Sequence, residues 1–438
     1  MLKRYAYREM QTLWSEENRY KTWLKVELAV LEARFKLREL PREGFEAIRY
    51  HARINVARIN ELDNLYRHDM IAFIESVQES LETAGVGKWK NEFHKKLTSY
   101  NVEDPAMVLL LRSATNAIIF VLHGLHSALR DKAVEHRNTI MIARTHGQYA
   151  EPTSFGHLLM VFEFGIKRSI ERLHNVVRDE LNQGNISGAV GVYGELDPKV
   201  EAKALEILEL RPAQAETQIL QRDRHAALLS AIAIAGGTIE QIARTFWEMM
   251  RSDVCELREP RAPEQRGSSA MAHKRNPILT ERLMGMARLL RGYAHAAMEN
   301  IATPECRDIS QSSVERHIFP DATSLLDYMV RKMTELVEGL VVFSHCMLEN
   351  LENSQGVWAS QRVRNALMDA GIPYSEAYQY VQQLSFEAEK DRMHLKTLLT
   401  LRPLNGRYVT DILPSEKIEE CFDVNAYIQK GIEHIFSQ

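Results

Sequence analysis

The stretch Leu228-Leu229-Ser230-Ala231-Ile232-Ala233-Ile234-Ala235-Gly236-Gly237-Thr238-Ile239-Glu240-Gln241-Ile242 decides the architecture. Wound as a helix, it is apolar on several faces rather than one. A helix of that kind is buried, often by neighbouring subunits. The small residues at its centre let another backbone approach closely. The expectation is an oligomer, with a core helix of a monomer as the competing reading.

Outward from this run, prolines mark the helical map. The intervals Pro152 to Pro198, Pro212 to Pro260, Pro277 to Pro304 and Pro320 to Pro373 contain none, and proline is the strongest helix breaker. Inside them the apolar residues step by three and four. Examples are Phe155, Leu159, Phe162, Ile166, Ile170 and Leu173, then Leu279, Leu283, Met286, Leu290 and Tyr293. Leu325, Met329, Met333, Leu336, Leu340 and Phe343 make a third stripe. Strand-like alternation is scarce. The pattern predicts an all-α protein with a central bundle of long helices. Three helical domains are expected: residues 1–100, 101–350 and 351–438. Pro41-Arg42-Glu43 reads as a turn into a helix. Breaks are expected at Gly85 to Gly87, at Gly371-Ile372-Pro373 and at Arg402-Pro403.

The 438 residues are 45% hydrophobic and 26% charged, with a net charge of −4. The basic excess of a general nucleic-acid or membrane-surface binder is missing. Glu9, Glu16 and Glu17 come too early for a secretory leader after Met1, and no long uncharged apolar run predicts a membrane span. Cys255, Cys306, Cys346 and Cys421 are far apart in sequence and lack metal-site spacing, so reduced thiols in the cytoplasm are expected.

Three clusters carry chemistry. In Gly267-Ser268-Ser269-Ala270-Met271-Ala272-His273-Lys274-Arg275-Asn276-Pro277, a flexible hydroxyl loop leads into cations. It ends on a predicted helix start, with Asn276 as N-cap and Pro277 at the first helical position. Such a loop is suited to hold an anion; a solvated basic turn is the plainer alternative. In Arg144-Thr145-His146-Gly147-Gln148, before a predicted helix start at Glu151-Pro152-Thr153, His146 is a candidate proton donor. A lone loop histidine is ordinarily just solvated. In Arg307-Asp308-Ile309-Ser310-Gln311-Ser312-Ser313-Val314-Glu315-Arg316, two arginines and several hydroxyls suit a phosphate or carboxylate. Surface salt bridging to Asp308 and Glu315 is the weaker-consequence reading.

Together these clusters resemble the fumarase/aspartase superfamily, whose members eliminate fumarate from succinyl compounds. The His273-to-Pro277 ending and the Arg307-to-Arg316 cluster are most similar to its adenylosuccinate lyase branch. The resemblance covers most of the chain and is strongest from Arg144 to Pro320. It implies a general acid at His146, a base at Ser268 and a carboxylate at Glu281 that orients the acid. It implies substrate contacts from Ser269, Lys274, Arg275 and Asn276. A phosphate grip is implied at Arg307, Ser312, Ser313 and Arg316, joined by Arg4 and Tyr5. Arg67, His68 and Asp69, which lie in a predicted helical region, also match substrate-binding positions. So do Thr98, Ser99 and Gln218.

The implied substrates are adenylosuccinate and its succinyl-imidazole-carboxamide counterpart, with no metal or organic cofactor. A cytoplasmic homotetramer with sites shared between subunits is implied as well. The chain departs from the family at Ala272, where proline is usual. Further departures are Tyr100-Asn101 in place of Thr-Asp, Tyr149, and Pro304-Glu305-Cys306. The rival readings are an argininosuccinate lyase, a carboxymuconate cycloisomerase or a non-catalytic helical scaffold. The phosphate-type cluster weighs against the first two, and retention of Ser268 and His146 against the third.

Overall fold

The computed structural model describes residues 2–262, 264 and 270–438. The protein is predominantly helical, as expected. Its long helices are Ser99–Glu135, Phe155–Asp179, Asp223–Met249, Ile278–Glu299 and Ser310–Glu338. The strands among the described residues form three two-stranded pairs. Close packing divides the chain into two compact units. The first comprises Met1–Gly124, Ile166–Glu240 and Leu283–Lys332; the second comprises Leu125–Gly165, Gln241–Arg282 and Met333–Gln438.

In the first unit an aromatic cluster closes the N-terminal helices. Trp23 meets Phe73 edge-on at 5.5 Å, and Tyr20 stacks on Phe73 at 6.0 Å. The expected turns are in place: Pro41 precedes the helix Arg42–His51, and Gly87 opens a 3-10 turn. The opening run is largely buried at Leu228, Leu229, Ile232, Ala235 and Ile239. At Gly236 the Leu290 side chain, not another backbone, takes up the space: a β-carbon there would lie 2.5 Å from Leu290 Cδ1. One face stays open, with Ile234 48% exposed.

Arg222 lies immediately before this helix and is buried. Its Nε donates to Glu315 at 2.9 Å, and its two terminal nitrogens reach Asp104 at 3.0 and 2.9 Å. Asp104 also accepts the Leu220 amide at 2.7 Å. Burial pushes Glu315 up to about 7 against the opposing pull of Arg222.

Two helices are long and apolar enough to cross a membrane by composition, Ser99–Glu135 and Asp223–Met249, but more than half of each apolar window is buried inside the protein. Their apolarity reflects core packing.

Prolines do not always break the helices. Pro105 and Pro320 lie inside Ser99–Glu135 and Ser310–Glu338. A mid-helix proline costs about 3 kcal/mol. Around Pro320 that cost is offset by burial of Ile318, Phe319, Ala322, Leu325 and Leu326. The third apolar stripe also outruns its helix. Beyond Glu338 the chain turns at Gly339, and Val341–Val342 pairs with Leu257–Arg258.

In the second unit a hairpin of Ile140–Thr145 and Gln148–Ser154 replaces the helix start expected at Glu151-Pro152-Thr153. The helix begins at Phe155, where Ser154 Oγ accepts the His157 amide at 3.1 Å. The capping hydroxyl therefore stands one residue beyond the motif. Gly156 sits where the hairpin enters this helix, and a β-carbon there would lie 2.5 Å from the Ala133 carbonyl oxygen. The C-terminal helices are short, with Pro373 before Tyr374–Asp391 and a break after Leu401, as the prolines indicated. Cys255 and Cys346, distant in sequence, come within hydrogen-bonding reach of each other.

Two stability outcomes follow from this packing. Gly156→Ala is expected to destabilise by about 1–3 kcal/mol, because the obstacle is backbone. Arg222→Met is expected to cost about 3–5 kcal/mol by stranding two carboxylates. Urea unfolding at fixed protein concentration checks both; midpoints equal to wild type would refute them.

Candidate active site

The first unit gathers the anion-binding candidates at helix starts. Arg67 ends the helix Val56–Tyr66 in the left-handed conformation, His68 is extended, and Asp69 opens Asp69–Thr83. The triplet is therefore a corner between helices and not one face of a helix. Arg67 and His68 are exposed.

Asp69 accepts the Arg316 guanidinium at 2.6 Å and lies 3.9 Å from Arg19. Burial would raise the Asp69 carboxyl, but Arg316, Arg19 and the Met70 amide outweigh it and hold it below the usual range.

At the start of Ser99–Glu135, the Thr98 amide and hydroxyl both donate to Asn101 Oδ1, at 3.0 and 3.2 Å. Together with the Asn101 amide donating to the Thr98 carbonyl at 3.0 Å, these bonds fix the first turn. On that turn Tyr100 is buried, and the Arg307 guanidinium lies over its ring at 4.0 Å. Arg307 also donates to Gln218 Oε1 at 2.5 Å, and Gln218 in turn donates to the Ala189 carbonyl at 2.9 Å.

Ser312 and Ser313 occupy the first turn of Ser310–Glu338, which Asp308 caps by accepting the Ser310 amide at 3.0 Å. Ser313 Oγ donates to the Ser310 carbonyl at 3.2 Å. A small cavity of about 50 Å³ is lined by Tyr100, Glu103, Ser312 and Arg316 among others. Burial pushes Glu103 up to about 7, Asp69 adds to the push, and Arg316 opposes it. Arg4 and Tyr5 lie on a 3-10 turn, with the Tyr5 ring 5.4 Å from Tyr328.

The first unit thus brings together Asp69, Gln218, Arg307, Ser312 and Arg316 from three separate stretches of sequence. It also adds Tyr100 and Glu103, which motif reading did not propose. The signal for Tyr100 was its departure from the family pattern; Glu103 carried none, because the charges that act on it, Asp69 and Arg316, come from distant segments.

The second unit holds the proton-donor candidate and the cationic segment. His146 and Gly147 form the two-residue turn of the hairpin, with φ of 55° and 76°. Turns with both central residues left-handed match the twist of the flanking strands. His146 is consequently presented outward at the tip.

The hairpin is braced on both sides. Arg144 pairs with the buried Glu256 at 3.1 Å, and Asn350 Nδ2 donates to the same carboxylate at 2.9 Å. The Tyr427 hydroxyl donates to Glu151 at 2.5 Å, and burial followed by that carboxylate pushes the phenol up to about 12. Tyr149, one of the departures, packs its ring under Arg144 at 5.5 Å.

Lys274, Arg275 and Asn276 line a cleft of about 1140 Å³ together with Arg258, Glu259 and Glu281. The helix after them starts at Ile278, one residue later than expected. The Glu259 carboxylate accepts the Leu279 and Thr280 amides at 3.1 and 2.7 Å, so the cap comes from a distant acid, which local sequence does not reveal. Glu281 accepts Trp247 Nε1 at 3.3 Å. Ser268 and Ser269 lie outside the described residues.

The profile of the family described as "Lyase" matches residues 4–292. Adenylosuccinate lyase of Bacillus subtilis is 39% identical over 438 residues, spanning 100% of this chain and 99% of that one. Adenylosuccinate lyase of Thermotoga maritima shows the same 39% identity over 438 residues, with 100% and 99% coverage. Among solved structures, a fumarate lyase from Mesorhizobium sp. BNC1 has a TM-score of 0.88 at 22% identity, over 98% of this chain and 97% of that one. The 3-carboxy-cis,cis-muconate lactonizing enzyme from Pseudomonas putida has a TM-score of 0.87 at 24% identity, over 99% and 96%. At these identities the structural likeness speaks for the fold alone. With a matching profile over most of its length and relatives aligned end to end, the chain belongs to the lyase family, on the adenylosuccinate lyase branch of the fumarase/aspartase superfamily.

Proposed function

We propose that the protein eliminates fumarate from adenylosuccinate, giving AMP, and from the succinyl-aminoimidazole-carboxamide ribotide in the same way. The observation that carries this reading is the convergence of Arg307, Gln218, Ser312 and the Arg316–Asp69 pair at the ends of helices in one unit. Helix starts, hydroxyls and guanidinium forks are phosphate-binding chemistry, and a substrate without a phosphate would not need them. End-to-end relatives named adenylosuccinate lyase support the same reading.

In the proposed mechanism, Ser268 removes the proton from the succinyl carbon beside a carboxylate. Negative charge then builds on that carboxylate as an aci-dianion, which Lys274 and Asn276 stabilise. The carbon–nitrogen bond breaks, fumarate forms, and His146 protonates the departing nitrogen. Serine is a weak base in water, so a dry, cation-lined site is needed for its role. Glu281 orients the acid histidine. Arg4, Tyr5, Arg67, His68, Thr98, Ser99, Ser269, Arg275 and Ser313 complete the substrate contacts.

The assembly proposed is a cytoplasmic homotetramer in which each site takes segments from different subunits. The domain division is 1–100, 101–350 and 351–438, with the central part carrying the subunit contacts. Exposed apolar side chains on the long helices support this: Phe120 is 78% exposed, Leu289 52% and Ile234 48%.

The decisive experiment follows the absorbance of adenylosuccinate on adding the purified protein. Turnover is expected, and its absence would refute the assignment. His146→Ala and Ser268→Ala are each expected to lose on the order of 10²–10⁴ in kcat while staying folded; near-normal activity would remove the role assigned to that residue. Light scattering is expected to give a tetramer. A fully active monomer would overturn the shared site.

A further inference from the structure

We infer that Tyr100 is a positioning residue that presets the phosphate grip and thereby sets the protein's preference for a phosphorylated substrate. The inference rests on the reading of Arg307 and Ser312 as phosphate ligands. Its basis is the packing around the Tyr100 ring.

Tyr100 is 4% exposed and sits on the first turn of Ser99–Glu135, a turn held by the Thr98–Asn101 cap. Its position is therefore fixed by the backbone. Its ring face carries the Arg307 guanidinium at 4.0 Å, and Tyr100 lines the same small cavity as Ser312. One side chain thus adjoins both groups proposed to meet the phosphate.

The nature of the contact matters. A carboxylate beside Arg307 would neutralise it and occupy its N–H donors. An aromatic face attracts the cation through the ring quadrupole while leaving the N–H edge available. The remaining contacts of Arg307 fit that reading. One terminal nitrogen donates to Gln218 at 2.5 Å, a neutral acceptor. Its Nε is buried and, among the described residues, has no hydrogen-bond partner. A buried donor without an acceptor is costly unless a ligand supplies one. The arginine is held in place, keeps its charge, and retains a donor for an incoming anion.

Two conservative variants separate the ring from the hydroxyl. Tyr100→Leu keeps apolar bulk and removes the π face. Tyr100→Phe keeps the face and removes the hydroxyl. With adenylosuccinate, Tyr100→Leu is expected to raise KM about tenfold to a hundredfold and leave kcat within about threefold. Tyr100→Phe is expected to raise KM by about threefold to tenfold.

Calorimetry with AMP and with adenosine gives the independent arm. Both variants are expected to lose affinity for AMP, and neither for adenosine. Equal losses on AMP and adenosine, or a fall in kcat with KM unchanged, would reduce Tyr100 to core packing and overturn the inference. So would wild-type AMP affinity in Tyr100→Leu. If the wild-type protein binds AMP but leaves adenylosuccinate intact, the proposed reaction fails while the calorimetry still decides on Tyr100. If Tyr100→Leu does not fold, Tyr100→Phe decides: unchanged AMP affinity and KM overturn the inference, and a selective loss on AMP upholds it.

Discussion

A guanidinium taken out of water between two carboxylates holds the first unit in register. Arg222 has 1% side-chain exposure, and its partners Asp104 and Glu315 have 3% and 7%. Removing such charges from water costs several kcal/mol per ion and is tolerated only when the hydrogen bonding is nearly complete. Here it is: Nε and Nη2 reach Glu315, Nη1 and Nη2 reach Asp104, and Nη1 also meets the Leu220 carbonyl at 2.6 Å. The arrangement tolerates no slippage, because any shift would strand a charge. Each member stands within four residues of a residue at the proposed grip. Asp104 follows Tyr100, Arg222 follows Gln218, and Glu315 lies between Ser312 and Arg316. Locking the three charges therefore locks the spacing of the groups that would meet a phosphate.

The second unit solves a different problem, that of presenting one exposed histidine at a defined angle. A flexible loop would leave His146 free to wander. A two-residue turn with both residues left-handed allows little freedom, and the strands behind it are pinned to Tyr427 and to Glu256, which Asn350 holds in turn. The left-handed conformation is uncommon for a residue other than glycine, and it persists where the surroundings enforce it. The bracing supplies that enforcement.

The helical architecture was legible because long apolar stripes repeat at a period no strand can satisfy. The clusters around His146, Lys274 and Arg307 were legible because each is contiguous, so its chemistry can be read without a fold. What escaped depended on distant partners. The hairpin was read as a helix start because Pro152 normally marks one, yet a proline is also tolerated on the edge of a two-stranded pair. The cap of Ile278–Glu299 was assigned to Asn276, whereas Glu259 accepts the Leu279 and Thr280 amides. Nothing local announces a carboxylate arriving from another segment. Pro320 reads as a boundary in sequence because local propensity takes no account of the buried side chains on either side of it. Tyr100 was visible only as an oddity, since its meaning lies in Arg307.

The two arginines of the proposed grip are prepared differently, and the difference bears on the order of events. Arg316 is already paired with Asp69, a carboxylate held in its charged form. An approaching phosphate sees this pair largely as a dipole and must compete with the acid at contact distance. Arg307 is held by an aromatic face and a neutral amide, with no carboxylate hydrogen-bonded to it among the described residues and only the more distant Glu103 opposing its charge. In a partly buried site the unpaired cation dominates the field at a distance. For a phosphate ligand, Arg307 therefore supplies the first attraction. Arg316 contributes later, once the anion is close enough to share the guanidinium with Asp69. An arrangement with carboxylates on both arginines would be more stable when empty, but it would forfeit that long-range pull.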